Sequence, residues 1–190
     1  MSLVPAFEIG AWNAWILTLG IAVLPRCLTR LINKDAYKNR ETPSDMKLNK
    51  TEMTIGFSAW AIVHLALIYS IFLPLQLGTI WFYVGLAVSV LALIMFSTAS
   101  TNFLTAPLDE PVTKGMYRYS RHPGYLAVFL VFLGVGTAAT SWLYMFLSLI
   151  LAVLIHFIAV IEERSCLDKY GDAYREYMNR TPRWIGVPKR

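Results

Sequence analysis

The chain has 190 residues, of which 56% are hydrophobic and only 15% are charged, and its formal net charge is +5. A soluble domain usually carries about 25% charged residues, so the composition excludes an ordinary soluble domain. The basic residues form no run interleaved with aromatic residues, and we therefore exclude a nucleic-acid-binding protein.

Three long segments without Asp, Glu, Lys or Arg indicate membrane-spanning helices: residues 9–25, 53–108 and 122–161. The second segment must fold back, because it would reach about 84 Å as one helix against a hydrocarbon core of about 30 Å. Turns fit near Pro74 and near Ala138. The sequence thus predicts an all-α polytopic membrane protein. Five transmembrane helices are expected, over residues 7–24, 53–73, 78–97, 124–138 and 142–161.

All 17 basic residues fall in three segments, residues 26–50, 114–121 and 164–190. Five spans place these segments on the same side, and basic loops tend to stay in the cytoplasm. The sequence therefore predicts one integral membrane domain over residues 1–190, with its N-terminus outside and a cytoplasmic tail over residues 162–190. No basic segment precedes the first apolar stretch, so a cleaved signal peptide is not expected.

The segment GMYRYSRHPGY, residues 115–125, places cations and a histidine directly against the start of an apolar helix. Pro123 suits the first helical position and moves His122 out of the helical region. Arg121 and His122 then lie beside free backbone N–H groups at the positive end of the helix dipole. We predict an anion site there, whereas Arg118 alone is better explained as an anchor to lipid headgroups.

Two adjacent carboxylates, Glu162 and Glu163, follow the fifth expected span. A carboxylate at a membrane edge is costly unless it meets a cation. The cytoplasmic face is therefore expected to combine an anion site with a cation site. An amino acid that carries a sulfonium fits both sites.

Other polar residues have simpler interpretations. His64 lies in the middle of a span and is expected to be packed or hydrogen bonded, whereas His156 is nearer the cytoplasmic face and is a candidate for lining a substrate cavity. Cys27 and Cys166 are expected to be reduced thiols at the cytoplasmic edge, and no metal site is expected.

The segments PVTKGMYRYSRHPGY and EERSCLDKYGDAYREYMNRTPRWI together resemble the isoprenylcysteine carboxyl methyltransferase and phospholipid methyltransferase superfamily. The resemblance covers about residues 102–185. It implies an all-helical membrane fold that binds S-adenosylmethionine at its cytoplasmic face, without a Rossmann-type domain. It also implies cofactor contacts from the matching positions: Asn102, Asp109, Glu110, Pro111, Val112, Tyr117, Arg121, His122, Pro123, Gly124, Tyr125 and Glu162.

The resemblance implies methyl transfer to a lipophilic acceptor that is embedded in the bilayer. Relatives that esterify a prenylcysteine have an arginine one turn before the glutamate, whereas this chain has Ile158. Arg164 or Arg183 is then needed to hold an acceptor carboxylate, while Glu163 or His156 is the base that an amine acceptor requires. A prenylcysteine carboxylate is the first expectation for the acceptor, and a lipid amine is the second.

Two other functions fit parts of the sequence. Membrane sterol reductases, which use NADPH, also carry an Arg-His-Pro-x-Tyr element, and a non-catalytic membrane scaffold would explain the spans alone.

The tail aromatic residues Tyr174, Tyr177 and Trp184 are interpreted as an interfacial belt on an amphipathic helix. The resemblance implies that this tail covers the cofactor.

Overall fold

The computed structural model describes residues 9–32 and 48–187, and its regular elements are helices. The α-helices in chain order are α1 Trp15–Ile32, α2 Lys50–Ile71, α3 Ile80–Thr105, α4 Pro123–Ala138, α5 Trp142–Tyr170 and α6 Asp172–Arg180. A short 3-10 helix, Gly115–Arg118, lies between α3 and α4. The expected all-α fold is thus confirmed for the described part of the chain.

Among the described helices, α2, α3 and α5 are long and apolar enough to cross a membrane, and α4 is a shorter apolar helix. Two helices run beyond the expected spans, because α3 continues to Thr105 and α5 continues to Tyr170. Threonine hydroxyls in the last turns of α3 donate to carbonyl oxygens four residues earlier, which satisfies these hydroxyls within the helix. The number of spans and the side of the membrane stay predictions.

The first expected span, residues 7–24, differs most from the structure. Helix α1 begins only at Trp15 and continues to Ile32, so part of the expected loop over residues 26–50 is helical. The late start has a local cause: the Ala14 N–H donates to the carbonyl of Leu73 at 2.8 Å, in the turn after α2. Residues 7 and 8 of that span and residues 33–47 of that loop lie outside the described residues.

The helices bring their polar residues together at one end of the bundle, which we call the polar end. Arg164, near the end of α5, binds Glu52, near the start of α2, with Nη1–Oε1 and Nη2–Oε2 distances of 2.6 and 3.1 Å. His122, directly before α4, lies beside Glu163 of α5. Exposed tryptophans lie at the opposite end, at or near the starts of α1, α3 and α5: Trp12, Trp81 and Trp142. Tryptophans in such positions are typical of a membrane interface.

Helices α3 and α4 approach each other until their backbones touch. A Cβ at Gly85 would overlap backbone atoms of Gly134 and Ala138, and a Cβ at Gly134 would overlap Ser89. Small residues four positions apart on both helices permit this approach, as they do in other pairs of membrane helices. Because both helices reach the polar end, this contact also fixes the distance between α3 and α4 there.

Candidate active site

A cavity of about 460 Å³ opens at the polar end between α3, α4, α5 and α6. Its apolar wall includes Phe96 and Phe103 of α3 and Val128 of α4. Its polar wall comes from the loop before α4, the start of α4 and the end of α5: Tyr117, Arg121, His122, Tyr125 and Glu162. The size and the few convergent polar groups are typical of a small-molecule site.

The loop before α4 is shaped by one hydrogen bond and one glycine. The Asn102 Oδ1 accepts the N–H of Met116 at 3.0 Å. Gly115 has a φ of +62°, and a Cβ there would overlap the Asn102 amide. The Asn102 amide, for which the resemblance implies a cofactor contact, therefore holds the loop.

His122 lies between two carboxylates. Its Nε2 is 3.1 Å from the Oε1 of Glu163, and its Nδ1 is 3.6 Å from the Oε2 of Glu162. Its ring stacks on Tyr125, whose hydroxyl donates to Glu162. Burial by itself lowers the pKa of His122, but the hydrogen bonds to the two glutamates raise that pKa above its ordinary value. His122 therefore meets carboxylates of the protein, rather than facing away from them toward an anion.

Glu163 is the centre of a buried ion cluster, formed with Arg121, His122 and Arg183. Its side chain is 4% exposed, and Arg183 binds it with Nε–Oε1 and Nη2–Oε2 distances of 2.9 and 2.7 Å. The Nη1 of Arg121 lies 3.4 Å from the same Oε1. Several cations around one carboxylate favour its ionised form, so a proton on Glu163 is disfavoured. The structure thus places two predicted catalytic residues, Glu163 and Arg183, against each other.

The buried Nε of Arg121 has no hydrogen bond to any described residue, and its buried Nη1 has the 3.4 Å ion pair with Glu163 but no hydrogen bond to a described residue. The side chain of Arg121 is 10% exposed and lines the cavity. Native proteins rarely leave a buried donor without a hydrogen bond, so the Nε and Nη1 of Arg121 are candidates to bind a further acceptor. A carboxylate is the acceptor that a guanidinium binds best.

The tail after α6 lies against the loop before α4. Hydrogen bonds join residues 119–121 to residues 182–186, including one from the Ser120 hydroxyl to the carbonyl of Arg183 at 3.1 Å. The same hydroxyl accepts the N–H of His122 at 3.1 Å. Ser120 therefore links the tail to the histidine of the site, a role that the sequence analysis missed.

The tyrosines of α6 are buried, which corrects their interpretation as an interfacial belt. Tyr174 and Tyr177 are 5% and 7% exposed and line the cavity. The Tyr177 hydroxyl donates to the carbonyl of Tyr117 at 2.7 Å. The helix is amphipathic as expected, but its aromatic side faces the protein, while Arg175 and Glu176 are exposed.

Most of the predicted cofactor contacts line the cavity: Pro111, Val112, Tyr117, Arg121, His122, Gly124, Tyr125 and Glu162. The cavity is not lined by Asn102, Asp109, Glu110 or Pro123. Asp109 and Glu110 are exposed, whereas Pro123 is buried at the first turn of α4.

The remaining candidates lie outside the cavity. His156 lies two turns before Glu163 on α5, and its ring centroid is 6.0 Å from that of Trp184. Arg164 forms an ion pair with Glu52 of α2. The Nδ1 of His64 lies 2.8 Å from a carbonyl oxygen of its own helix, so His64 is hydrogen bonded as expected.

Residues of α3 also line the cavity, although Asn102 was the residue of this helix that was predicted to contact a cofactor. Phe96, Ser100 and Phe103 line it, and their spacing of about one helical turn was the available signal. Cys166, interpreted as an ordinary thiol, also lines the cavity. No group of three or more His, Cys, Asp or Glu side chains that could hold a metal ion occurs within residues 9–32 and 48–187.

Residues 73–173, just over half of the chain, match the model described as phospholipid methyltransferase. The matched residues include α3, α4, α5 and the loop before α4, and thus most of the walls of the cavity. No curated protein matches the chain.

Proposed function

The chain belongs to the phospholipid methyltransferase family, and on that basis we propose that it transfers a methyl group from S-adenosylmethionine to a lipid acceptor in the membrane. The observation that best supports this cofactor is the cavity at the polar end. It combines guanidinium donors of Arg121 that make no hydrogen bond to a described residue with the carboxylate of Glu162. When bound, S-adenosylmethionine supplies a methyl group that is activated by its sulfonium.

The side chains of the cavity suit the charged groups of this cofactor. The Nε and Nη1 of Arg121 would bind its carboxylate. Glu162 would bind its ammonium, and the aromatic faces of Tyr117 and Tyr125 would attract its sulfonium. In this assignment Arg121 binds the carboxylate of the cofactor, while His122 contacts Glu162 and Glu163 and holds them in place.

A titration with S-adenosylhomocysteine tests the cofactor assignment. We expect the wild-type protein to bind it, and Arg121→Gln to bind it more weakly by about 1–3 kcal/mol, because a charge-assisted contact is lost. His64→Ala serves as the control and should leave the affinity unchanged. Equal losses in both variants would indicate misfolding, and binding of NADPH instead of S-adenosylhomocysteine would support a reductase.

For the acceptor, we place a lipid amine ahead of a prenylcysteine carboxylate. Two arginines were expected to replace the arginine that relatives have at the position of Ile158. Both form ion pairs within the protein: Arg183 with Glu163, and Arg164 with Glu52. Each arginine already uses two guanidinium nitrogens to bind a glutamate of the protein. An acceptor carboxylate would then be buried without a cation, which is costly. An amine acceptor requires no such cation.

An amine must lose a proton before it attacks the methyl group. Of the two predicted bases, Glu163 is surrounded by Arg121, His122 and Arg183 and is poorly suited to accept a proton. His156 is the better candidate, because it is exposed on α5 and lies close to Trp184.

The acceptor is tested with purified protein, radiolabelled S-adenosylmethionine and two acceptors, phosphatidylethanolamine and a farnesylcysteine analogue. We expect label on the phospholipid that is stable to base, since an N-methyl group survives base whereas a methyl ester releases methanol. Base-labile label on the farnesylcysteine analogue alone would restore the carboxylate as acceptor. Label on neither acceptor, in a protein that binds S-adenosylhomocysteine, would contradict both choices.

A further inference from the structure

Trp184 connects two histidines that belong to different parts of the molecule. Its ring centroid lies 6.2 Å from that of His122 and 6.0 Å from that of His156. The cavity is lined by His122 and Tyr125, but by neither Trp184 nor His156. Trp184 therefore contacts the histidine of the site from outside the cavity.

The position of Trp184 is fixed from both sides along the chain. Its neighbour Arg183 is bound by Glu163 through its side chain and by Ser120 through its carbonyl. Two residues further, the N–H of Gly186 donates to the carbonyl of Tyr119 at 3.1 Å. The indole also packs against the buried core, yet part of its surface stays accessible.

A stripe of exposed apolar side chains on α5 runs past His156, whose ring contacts that of Trp184. Apolar side chains of this stripe are about half exposed: Leu149, Val153, Phe157 and Val160. His156 is exposed beside Phe157 and is a polar exception on this side of the helix. An ionisable side chain on a membrane-facing surface is costly and usually has a functional reason.

We propose that Trp184 is a positioning residue for the methyl acceptor. The hydrocarbon chains of the acceptor lie along the α5 stripe, and its amine headgroup lies against the accessible part of the indole, beside His156. An indole face attracts a cationic amine, and tryptophan suits the level of the lipid headgroups. The inference rests on the proposed lipid amine acceptor, and it adds the place where that amine binds.

The first test reports contact with lipid and does not depend on turnover. The difference in fluorescence between the wild-type protein and Trp184→Phe isolates the signal of Trp184 among the six tryptophans. With S-adenosylhomocysteine present, brominated phosphatidylethanolamine should quench this difference more strongly than brominated phosphatidylglycerol with the same chains. Equal quenching by the two lipids would show that Trp184 only faces the bilayer, and would overturn the proposal.

The second test separates positioning from structural support. Trp184→Leu should raise the KM for phosphatidylethanolamine about three- to thirtyfold, with the affinity for S-adenosylhomocysteine unchanged. Trp184→Phe keeps an aromatic face and should therefore have a KM close to that of the wild-type protein. Trp142→Leu, at the other end of α5, is the matched control. A parallel loss of S-adenosylhomocysteine affinity would contradict the proposal. Selective quenching by phosphatidylethanolamine without methyl transfer in the wild-type protein would instead refute the proposed function, and leave Trp184 as an amine-binding residue.

Discussion

Replacing Glu163 with alanine should destabilise the protein by about 3–5 kcal/mol, because it leaves buried cations without their carboxylate. Arg183 would lose two hydrogen bonds of 2.9 and 2.7 Å, and His122 would lose the partner of its Nε2. The Nη1 of Arg121 would also lose its nearest carboxylate. Unfolding in detergent, followed by circular dichroism, measures the loss.

The matched control is Glu176→Ala. Glu176 forms an exposed ion pair with Arg180 one turn away on α6, and such pairs contribute at most about 0.5 kcal/mol. A double variant, Glu163→Ala with Arg183→Ala, should be less destabilised than the sum of the two single variants, since it removes both members of the pair. Equal stability of Glu163→Ala and Glu176→Ala, or strict additivity in the double variant, would contradict the ion cluster.

Gly85→Val should separate α3 from α4 and abolish S-adenosylhomocysteine binding. The new side chain would overlap backbone atoms of Gly134 and Ala138, and no rotamer change can move a backbone. Overpacking of a close contact costs about 1–3 kcal/mol, and a backbone clash should lie at or above the upper end of this range. Both helices carry walls of the cavity, so their separation should distort it. Thermal unfolding and calorimetric titration measure the two effects.

Gly56→Val is the control for this substitution. Gly56 lies inside α2, and a Cβ there would meet no atom within 4 Å. Valine has a helix propensity no worse than that of glycine, so the control variant should unfold at or above the wild-type temperature. If Gly85→Val and Gly56→Val behaved alike, the close approach of α3 and α4 would not be needed for the fold.

Much of the architecture follows from the distribution of charge along the chain. Runs without charged residues predict apolar helices, and basic segments that fall on one side predict that the polar residues meet at one end. The structure places Glu52, His122 and Glu163 at that end, as this reasoning requires. Local rules also predict the start of α4, because Pro123 suits the first turn and His122 precedes it.

The pairing of charges within the site could not be predicted in the same way. The helix dipole argues that His122 binds an external anion, but tertiary packing places it between Glu162 and Glu163. These partners lie about forty residues apart, so no local pattern specifies their contact. The tyrosines of α6 were misread for a related reason, since an amphipathic pattern shows that one side is apolar but not what covers it.

The end of α5 carries three successive residues that bind three different parts of the protein. Glu162 contacts residues at the start of α4, Glu163 binds the tail, and Arg164 binds α2. Successive positions on a helix are about 100° apart, so each side chain faces its own partner. Inserting or deleting one residue between Trp142 and Glu162 would turn all three away from their partners at once. The number of residues in α5 is therefore constrained, because it sets the direction of these three side chains.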